Sequence, residues 1–181
     1  CTTASASCPR AAELSIVGVV LPVPSPFQER LDDYRTALAG SAPETPAHIT
    51  LVPPLEVPEV ELTRAVEHLG GVASQFAAFP IQLRGTGTFR PTTPVVYIEV
   101  ALGASACARL ATLVGAGPLS APAAFPYHPH VTIAHRLSED ELDAALSDCA
   151  GFDAGWTAQE FTLYEHGPSG WSATRTFPLD G

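Results

Sequence analysis

Two short segments of this chain share an unusual composition. Residues 48–51 read HITL and residues 130–133 read HVTI. β-Branched residues dominate both segments, which is typical of strands. Because side chains alternate between the two faces of a strand, the histidine and threonine of each segment lie on one face and the aliphatic residues on the other. The pattern predicts two strands that each present an imidazole and a hydroxyl opposite a core-facing side.

Two such faces across a groove would suit chemistry at a phosphate ester. A neutral histidine can act as a base while a protonated one acts as an acid, because imidazole titrates near neutral pH. The hydroxyls of Thr50 and Thr132 can donate hydrogen bonds to phosphate oxygens. We therefore expect His48 and His130 to form an acid–base pair for in-line attack at phosphorus, with no metal ion and no other cofactor.

Arginine and aromatic side chains supply further candidates for substrate binding. Arg90 and Arg136 are the basic residues that we expect to contact a phosphate or a base, although a solvated surface charge is the commoner role of an arginine. Phe125 and Tyr127 are the aromatic residues that we expect to stack on a base, although packing in the core is their commoner role.

Four nearby histidines, His48, His128, His130 and His135, also permit a zinc site. A catalytic zinc usually takes three protein ligands that are oriented by further partners. No Asp or Glu is adjacent to either segment, and zinc would leave the threonines unexplained, so the metal-free interpretation is favoured. His128 either enters the groove or packs at the strand entrance, and we favour the second. His135 falls on the core-facing side if its strand is regular, and both a core or rim role and a substrate contact stay open for it.

Hydrophobic periodicity predicts the elements that must position these residues. Strands are predicted at 14–21, 47–53, about 80–89, 94–102, 130–135, near 157–166 and 171–178. Helices are predicted from about 26 to Gly40, around 62–76, at 104–115 and after Ser138.

Local signals predict where elements begin and end. Ser25 and Gln28 form a capping-box pattern with Pro26 at the first helical position, and Ser138 with Glu141 forms another. The pair Pro53-Pro54 is predicted to stop the first motif strand. Residues 167–170 (GPSG) are predicted to be the turn of the last hairpin.

The order strand, helix, motif strand, helix, strand occurs twice, which predicts an internal duplication. We expect an α/β (α+β) fold of two pseudo-symmetric lobes, each a largely antiparallel sheet with outer helices, around a central groove. Residues 1–12 are predicted to be a disordered leader. Residues 13–181 are predicted to form a single bilobal domain, with lobe one at about 13–91, lobe two at about 92–181 and exchange of strands between the lobes allowed.

Composition limits the partners. The net charge is −10 and no run of arginines occurs, which argues against a long nucleic-acid groove. No apolar run is long enough for a membrane span. Cys107 and Cys149 lie in apolar helical patterns, where a free thiol behaves as a small core residue. We therefore expect a cytoplasmic monomer that acts on a small nucleotide or an RNA end.

Paired H-x-T-x motifs about eighty residues apart in a duplicated α/β chain resemble the 2H phosphoesterase superfamily. The likeness is greatest to its 2′-5′ RNA ligase or RNA 2′,3′-cyclic phosphodiesterase group and covers about residues 14–179. Residues 127–134 (YHPHVTIA) are similar to that group's second motif. Residues 163–165 (LYE) and 177–179 (FPL) resemble its C-terminal hairpin.

The resemblance implies that His48 and His130 split a cyclic phosphodiester while Thr50 and Thr132 hold its phosphate. The chain departs from the family pattern in two places. His135, followed by Arg136, stands where many relatives have a basic residue. Residues 52–54 (VPP) stand where relatives often have Phe-Leu-Gly, so the substrate can differ from theirs.

The expected function is metal-independent hydrolysis of a cyclic phosphodiester, above all a 2′,3′-cyclic phosphate on an RNA end or a nucleotide, to give a 2′-phosphate. His130 is expected to be the base on water and His48 the acid to the leaving ribose oxygen, and pseudo-symmetry allows the reverse. The alternatives are action on 2′-5′-linked oligonucleotides or ADP-ribose cyclic phosphate, and a non-catalytic module that binds nucleotide phosphates. An intact histidine pair argues against the last.

Overall fold

A computed structural model describes residues 13–181, so the predicted leader at 1–12 lies outside the described residues. The strands of this part of the chain are β1 (Leu14–Pro22), β2 (His48–Pro58), β3 (Phe79–Thr88), β4 (Val95–Leu102), β5 (His130–His135), β6 (Asp153–Ala158), β7 (Glu160–Gly167) and β8 (Gly170–Pro178). The α-helices are α1 (Phe27–Ala39), α2 (Glu59–Ala73), α3 (Ala104–Val114) and α4 (Glu139–Asp148), and a 3-10 turn occurs at Gly117–Leu119.

The strands form two four-stranded sheets in which every neighbouring pair is antiparallel. The first sheet has the order β2-β1-β7-β8 and the second has the order β5-β4-β3-β6. Helices α2 and α3 pack against β2, whereas α1 and α4 pack against β5. This arrangement confirms the predicted α+β fold with two antiparallel sheets and outer helices. No helix within residues 13–181 is long and apolar enough to span a membrane.

The two sheets do not follow the two halves of the chain. Strand β3 comes from the first half but pairs with β4 and β6 in the second sheet. The hairpin of β7 and β8 comes from the second half but completes the first sheet, where β7 pairs with β1. The helices cross in the same way, because α1 packs against β5 and α3 packs against β2. Side chains from both halves therefore surround each motif strand.

The first motif strand is longer than its prolines predict. Strand β2 continues through Pro53-Pro54 to Pro58 instead of stopping at residue 53. It is the edge strand of its sheet, where a proline that lacks an N–H costs no ladder bond. The register with β1 is irregular between Val17 and Val19, opposite these prolines. A bulge in an edge strand thus accommodates what the sequence suggests is a stop.

The final strands also differ from the prediction. The strand predicted near 157–166 is two strands, β6 and β7, separated at Gln159. Strand β6 (DAGWTA) buries only Ala154 and Ala158 fully and takes its place by pairing with β3. Its weak apolar pattern explains why periodicity misses it. The predicted turn is present, because Gly167 pairs with Gly170.

Of the two predicted capping boxes, the one at α4 is present and the one at α1 is absent. In α4, Ser138 and Glu141 form a complete capping box, and Gly40 ends α1, both as predicted. Gly40 does so in the left-handed conformation, at φ 69°. The Ser25 prediction is wrong. Helix α1 has Pro26 as its N-cap with no side-chain cap, and Ser25 Oγ donates to Glu29 Oε1 at 2.7 Å. Ser25 lies one residue too early to reach the first free N–H groups.

The core-facing sides of both motif strands are buried as predicted. Ile49 and Val131 are inaccessible to solvent, and Leu51 and Ile133 are nearly so. The histidines and threonines on the opposite faces are half-buried. Strand alternation therefore separates the core from the candidate site. Two further core predictions, the free thiols Cys107 and Cys149, are also confirmed.

The two serines provide a matched test of these helix ends. Replacing Ser138→Ala removes one half of a formed capping box and should lower the free energy of unfolding by about 1 kcal/mol. Replacing Ser25→Ala removes no cap and should change it by less than about 0.5 kcal/mol. Urea unfolding of both variants measures the difference, and equal losses would contradict the capping geometry.

Candidate active site

The candidate site lies where the edges of the two sheets meet. Strands β2 and β5 are the edge strands of their sheets, and they pack against each other. Each edge strand presents its histidine and threonine, half-buried, beside the neighbouring edge. His130 lies close enough to His48 to affect the ionisation of His48. The fold therefore brings the two predicted histidines together.

Both histidines make the same bond to their own backbone. His48 Nδ1 lies 2.7 Å from the carbonyl oxygen of Pro46, and His130 Nδ1 lies 2.7 Å from that of His128. A carbonyl oxygen only accepts, so each neutral ring carries its proton on Nδ1 and donates it there. Nε2 of each ring is then the nitrogen left to accept or deliver a proton. The bond fixes both the tautomer and the ring orientation.

The surroundings lower the pKa of both histidines below the ordinary value. For His48 burial is the main cause, the charges of Arg35 and His130 add to it, and the bond to Pro46 and the charge of Asp32 oppose it. For His130 burial is again the main cause, the bond to the His128 carbonyl opposes it, and the His128 charge lowers the pKa further. The ligand-free site therefore favours two neutral rings at neutral pH. A bound anion would favour protonation of one of them.

Aromatic rings surround His130. Its ring centroid lies 5.0 Å from Phe89, edge-on at 86°, and 5.1 Å from Tyr97. Phe89 and Tyr97 are themselves 4.4 Å apart. The Tyr97 ring covers Gly87, where an added Cβ would lie 2.6 Å from Tyr97 Cζ. A glycine at position 87 thus lets Tyr97 reach the position from which it supports His130.

A cavity of about 480 Å³ adjoins His130, and we call it the aromatic pocket. Its lining comprises Thr50, Leu51, Pro53, Phe89, Thr92, Thr93, Phe125, Pro126, Tyr127, His128 and His130. Phe125 is 63% exposed, and Tyr127 Oη donates to the Thr50 carbonyl oxygen at 2.9 Å. Both predicted aromatic residues thus lie beside His130.

His128 also lies in the aromatic pocket, in contrast to the interpretation that we favoured. Its ring centroid lies 5.6 Å from Phe89 and 5.2 Å from Tyr97. Its carbonyl oxygen accepts the bond from His130. His128 therefore lines the pocket and holds the motif histidine at the same time.

A smaller cavity of about 110 Å³, the His48 cavity, lies on the other side of Thr50. It is lined by Gly18, Val20, Thr45, His48, Thr50, Val52, Pro54, Tyr164 and Trp171. Thr50 therefore separates the two cavities and lines both. Thr132 is half-buried opposite Tyr97 in the β4–β5 ladder and lines neither cavity.

The two predicted arginines have different positions. Arg90 donates to Glu139 at 2.6 Å and to Asp143 at 2.7 Å and lines neither cavity, so its guanidinium is engaged by α4 rather than directed to the groove. This placement does not support the predicted substrate contact of Arg90. Arg136 is exposed and lines a third cavity, which also contains His135.

His135 does not lie on the core-facing side, because its strand is not regular. The ladder between β4 and β5 shifts register between Val96 and Tyr97, so that Ile133 and Ala134 are both buried and His135 is exposed. Sequence reasoning also missed Arg35 on α1, which lies near both His48 and His135. No local signal marks it, because helix α1 meets β5 only in the folded chain. Within residues 13–181, no group of three or more His, Cys, Asp or Glu side chains is arranged to hold a metal ion.

Comparison with known proteins identifies the family. The model of the 2′-5′ RNA ligase superfamily matches residues 23–169, which is most of the chain. The chain belongs to the 2′-5′ RNA ligase superfamily. The resemblance to 2H phosphoesterases seen in the two motifs is thereby confirmed.

Two relatives match the chain over most of its length. A protein from Oceanobacillus iheyensis named as a candidate phosphoesterase is 31% identical over 137 residues, which cover 74% of this chain and 80% of that protein. A protein from Bacillus licheniformis with the same kind of name is 27% identical over 165 residues, which cover 90% and 97%. The superfamily and these relatives support an enzyme of the phosphoesterase type.

Solved structures share the fold. Escherichia coli LigT in complex with 3′-AMP superposes with a TM-score of 0.71 at 18% identity, over 93% of this chain and all of LigT. A protein from Thermus thermophilus superposes with a TM-score of 0.66 at 23% identity, over 92% of this chain and 98% of that protein. The two-lobed architecture is therefore that of the LigT fold.

Proposed function

We propose that this member of the 2′-5′ RNA ligase superfamily hydrolyses a cyclic phosphodiester without a metal ion. The preferred class is a 2′,3′-cyclic phosphate on a nucleotide or an RNA end, and the product is a 2′-phosphate. The observation that carries the proposal is the pair of matched histidines, each with Nδ1 held 2.7 Å from a backbone carbonyl and Nε2 left for proton transfer. A protein that only bound phosphate would have no need of two rings prepared in this way.

The two rings exchange protonation states during the reaction. Nε2 of neutral His130 takes a proton from water as the water oxygen bonds to phosphorus. The bond from phosphorus to the 3′ oxygen breaks, and protonated His48 gives its Nε2 proton to that oxygen. His130 ends protonated and His48 neutral, so one proton must return through solvent before the next cycle. The reverse assignment of the rings yields the same product, as their equivalent backbone bonds allow.

Thr50 is the residue that we propose to hold the reacting phosphate. It separates the cavities that contain His48 and His130, and its hydroxyl can donate to a phosphate oxygen lying between the two rings. Thr132 has the equivalent place on β5 and is proposed as its partner from the other edge. Two hydroxyl donors would hold the phosphorus in line with the attacking water.

The aromatic pocket is proposed to take the base. Its volume of about 480 Å³ lies within the range of small-molecule sites, and the exposed ring of Phe125 offers a stacking face. Tyr127 is oriented by its bond to the Thr50 carbonyl oxygen, which links the base pocket to the phosphate position. LigT, which shares the fold, is seen in complex with 3′-AMP, and this supports a nucleotide ligand here.

Charge and thiols support the remaining parts of the proposal. A net charge of −10 disfavours a long nucleic acid, so the substrate is a single nucleotide or the end of an RNA. The free, buried thiols Cys107 and Cys149 suit a reducing compartment. The thiols accordingly favour a cytoplasmic enzyme, and we propose separately that it works as a monomer.

Removing either histidine should remove most of the activity. His48→Ala and His130→Ala should each lower kcat by on the order of 10²–10⁴-fold, because each removes one of the two proton transfers. The double variant should be little worse than the worse single variant, since the pair acts as a unit. The assay follows hydrolysis of a nucleoside 2′,3′-cyclic phosphate in the presence of EDTA by phosphorus NMR, which also identifies the product isomer.

His68→Gln is the matched control for this test. His68 bonds the Leu113 carbonyl oxygen through Nε2, on α2 and away from the groove, so its loss should leave kcat within about two-fold. Near-normal turnover in either motif variant would contradict the proposal. So would loss of wild-type activity in EDTA followed by recovery with zinc.

The pH dependence follows from the lowered pKa values. Turnover needs one neutral and one protonated ring, and kcat/KM reports the pKa values of the free enzyme. Because burial lowers the pKa of both His48 and His130 below 6.5, kcat/KM should form a bell centred below pH 6.5 and should fall as pH rises through 7, where the acid is lost. The kcat profile should lie at higher pH, because the bound phosphate anion favours the protonated ring. A maximum of kcat/KM above pH 7 would contradict this account.

A further inference from the structure

A third cavity continues the groove beyond His48. It has a volume of about 430 Å³ and shares Thr45 and Trp171 with the His48 cavity. The His48 cavity in turn shares Thr50 with the aromatic pocket. The three cavities therefore form a row, with the histidine pair near its middle. We call the third one the basic pocket, because Arg35, His135 and Arg136 line it.

Arg136 of the basic pocket differs from the other arginines within residues 13–181, because each of those has a carboxylate or an aromatic ring as a partner. Arg64, Arg84 and Arg90 each form ion pairs with exposed or half-exposed carboxylates outside the groove. Arg136 is exposed and has no ion pair recorded within residues 13–181. Arg136 therefore lines a cavity with its guanidinium engaged by neither a carboxylate nor an aromatic ring of the described chain, although the chain is strongly acidic overall.

Arg35 is fixed in position through one of its guanidinium nitrogens, and the other two nitrogens stay open to a ligand. Its side chain is only 15% exposed, and Nη1 donates to Asp32 Oδ1 at 2.9 Å and to the Thr45 carbonyl oxygen at 3.0 Å. No partner within residues 13–181 is recorded for Nε or Nη2. Its charge acts on both His48 and His135, which places it between the reacting pair and the basic pocket. Glu44 is the carboxylate that also lines this pocket and partly offsets the two arginines.

The backbone at Arg136 is strained. Its φ of 57° lies in the left-handed region, and no other non-glycine residue among those described has a positive φ. Arg136 follows the last residue of β5 and precedes α4, so this conformation decides where its side chain leaves the strand. Strain of this kind persists where the surrounding structure demands it and is frequent at ligand sites.

We propose that the basic pocket binds a second phosphate of the substrate, so that the preferred substrate carries one phosphate in addition to the reacting one. This inference rests on the proposed function and narrows its substrate class. Planar guanidinium groups match phosphate oxygens in charge and geometry, and His135 adds a further donor. The base lies on one side of the histidine pair, in the aromatic pocket, and the second phosphate lies on the other.

Two sources can supply such a phosphate: the internucleotide phosphate of an RNA end and the diphosphate of a nucleotide. The test compares a nucleoside 2′,3′-cyclic phosphate with a dinucleotide that ends in the same cyclic phosphate and with the 5′-diphosphate of the same cyclic nucleotide. In the wild type, at least one of the two phosphate-bearing substrates should have a KM roughly ten-fold lower than that of the simple cyclic nucleotide, because charge-assisted hydrogen bonds have about this strength. The substrate with the larger gain identifies the source.

Arg136→Gln carries the test, because its side chain is exposed and its loss leaves the core intact. The gain from the added phosphate should fall from about ten-fold to less than two-fold in this variant. Arg35→Lys, which keeps the charge but not the planar donors, should reduce the gain partly. Arg64→Gln, on the exposed face of α2, is the matched control and should keep the whole gain. A gain that survives Arg136→Gln, or no gain in the wild type, overturns the inference.

Calorimetry separates this inference from the proposed function. A nucleoside 2′,5′-bisphosphate should bind about ten-fold more tightly than the nucleoside 2′-phosphate, and Arg136→Gln should abolish the difference. This measurement needs no turnover. If the enzyme hydrolyses no cyclic ester but still binds the bisphosphate more tightly through Arg136, the proposed function is wrong and the inference about the basic pocket is supported. If the esters are hydrolysed but the two ligands bind equally, the basic pocket fails alone.

Discussion

The hydrogen bond from each histidine Nδ1 to the carbonyl oxygen two residues earlier is the interaction on which the candidate site depends. It uses only the local chain at the beginning of a strand, so the same bond forms on β2 and on β5. It selects one tautomer and leaves Nε2 as the reactive nitrogen. Burial then lowers the pKa of both rings, so that both are neutral at neutral pH. A bound anion favours protonation of one ring, which then acts as the acid.

His48 and His130 make equivalent backbone bonds but have different surroundings, because strands and helices are exchanged between the two halves of the chain. Strand β3 leads to Phe89 and faces Tyr97 of β4, so the second sheet places rings around His130. The hairpin of β7 and β8 brings Trp171 to the His48 side, and helix α1 brings Arg35 there by packing against β5. The His130 side of the groove is therefore lined by aromatic rings and by no arginine of the described chain, whereas the arginines lie on the His48 side. A nucleotide with its base on one side and a phosphate on the other matches that polarity.

Patterns that depend on neighbours in sequence were predictable, whereas those that depend on distant pairing were not. The alternation of HITL and HVTI predicted the buried and groove-facing sides, and the Ser138 capping box was readable because both partners lie within one turn. The continuation of β2 through Pro53-Pro54 depends on its place at a sheet edge, and the outward turn of His135 depends on a register shift against β4. The capture of Arg90 by Glu139 and Asp143 likewise required the position of α4.

Nitrogen NMR of the imidazole rings, followed through a pH titration, tests the central claim most directly, because it observes tautomer and ionisation at each histidine separately. In the ligand-free protein we expect His48 and His130 both to carry the neutral-state proton on Nδ1 and to titrate below pH 6.5. Saturation with a nucleoside 2′-phosphate should raise the midpoint of one of the two rings. Protonation of Nε2 in either neutral ring, or midpoints that do not respond to the ligand, would contradict the account.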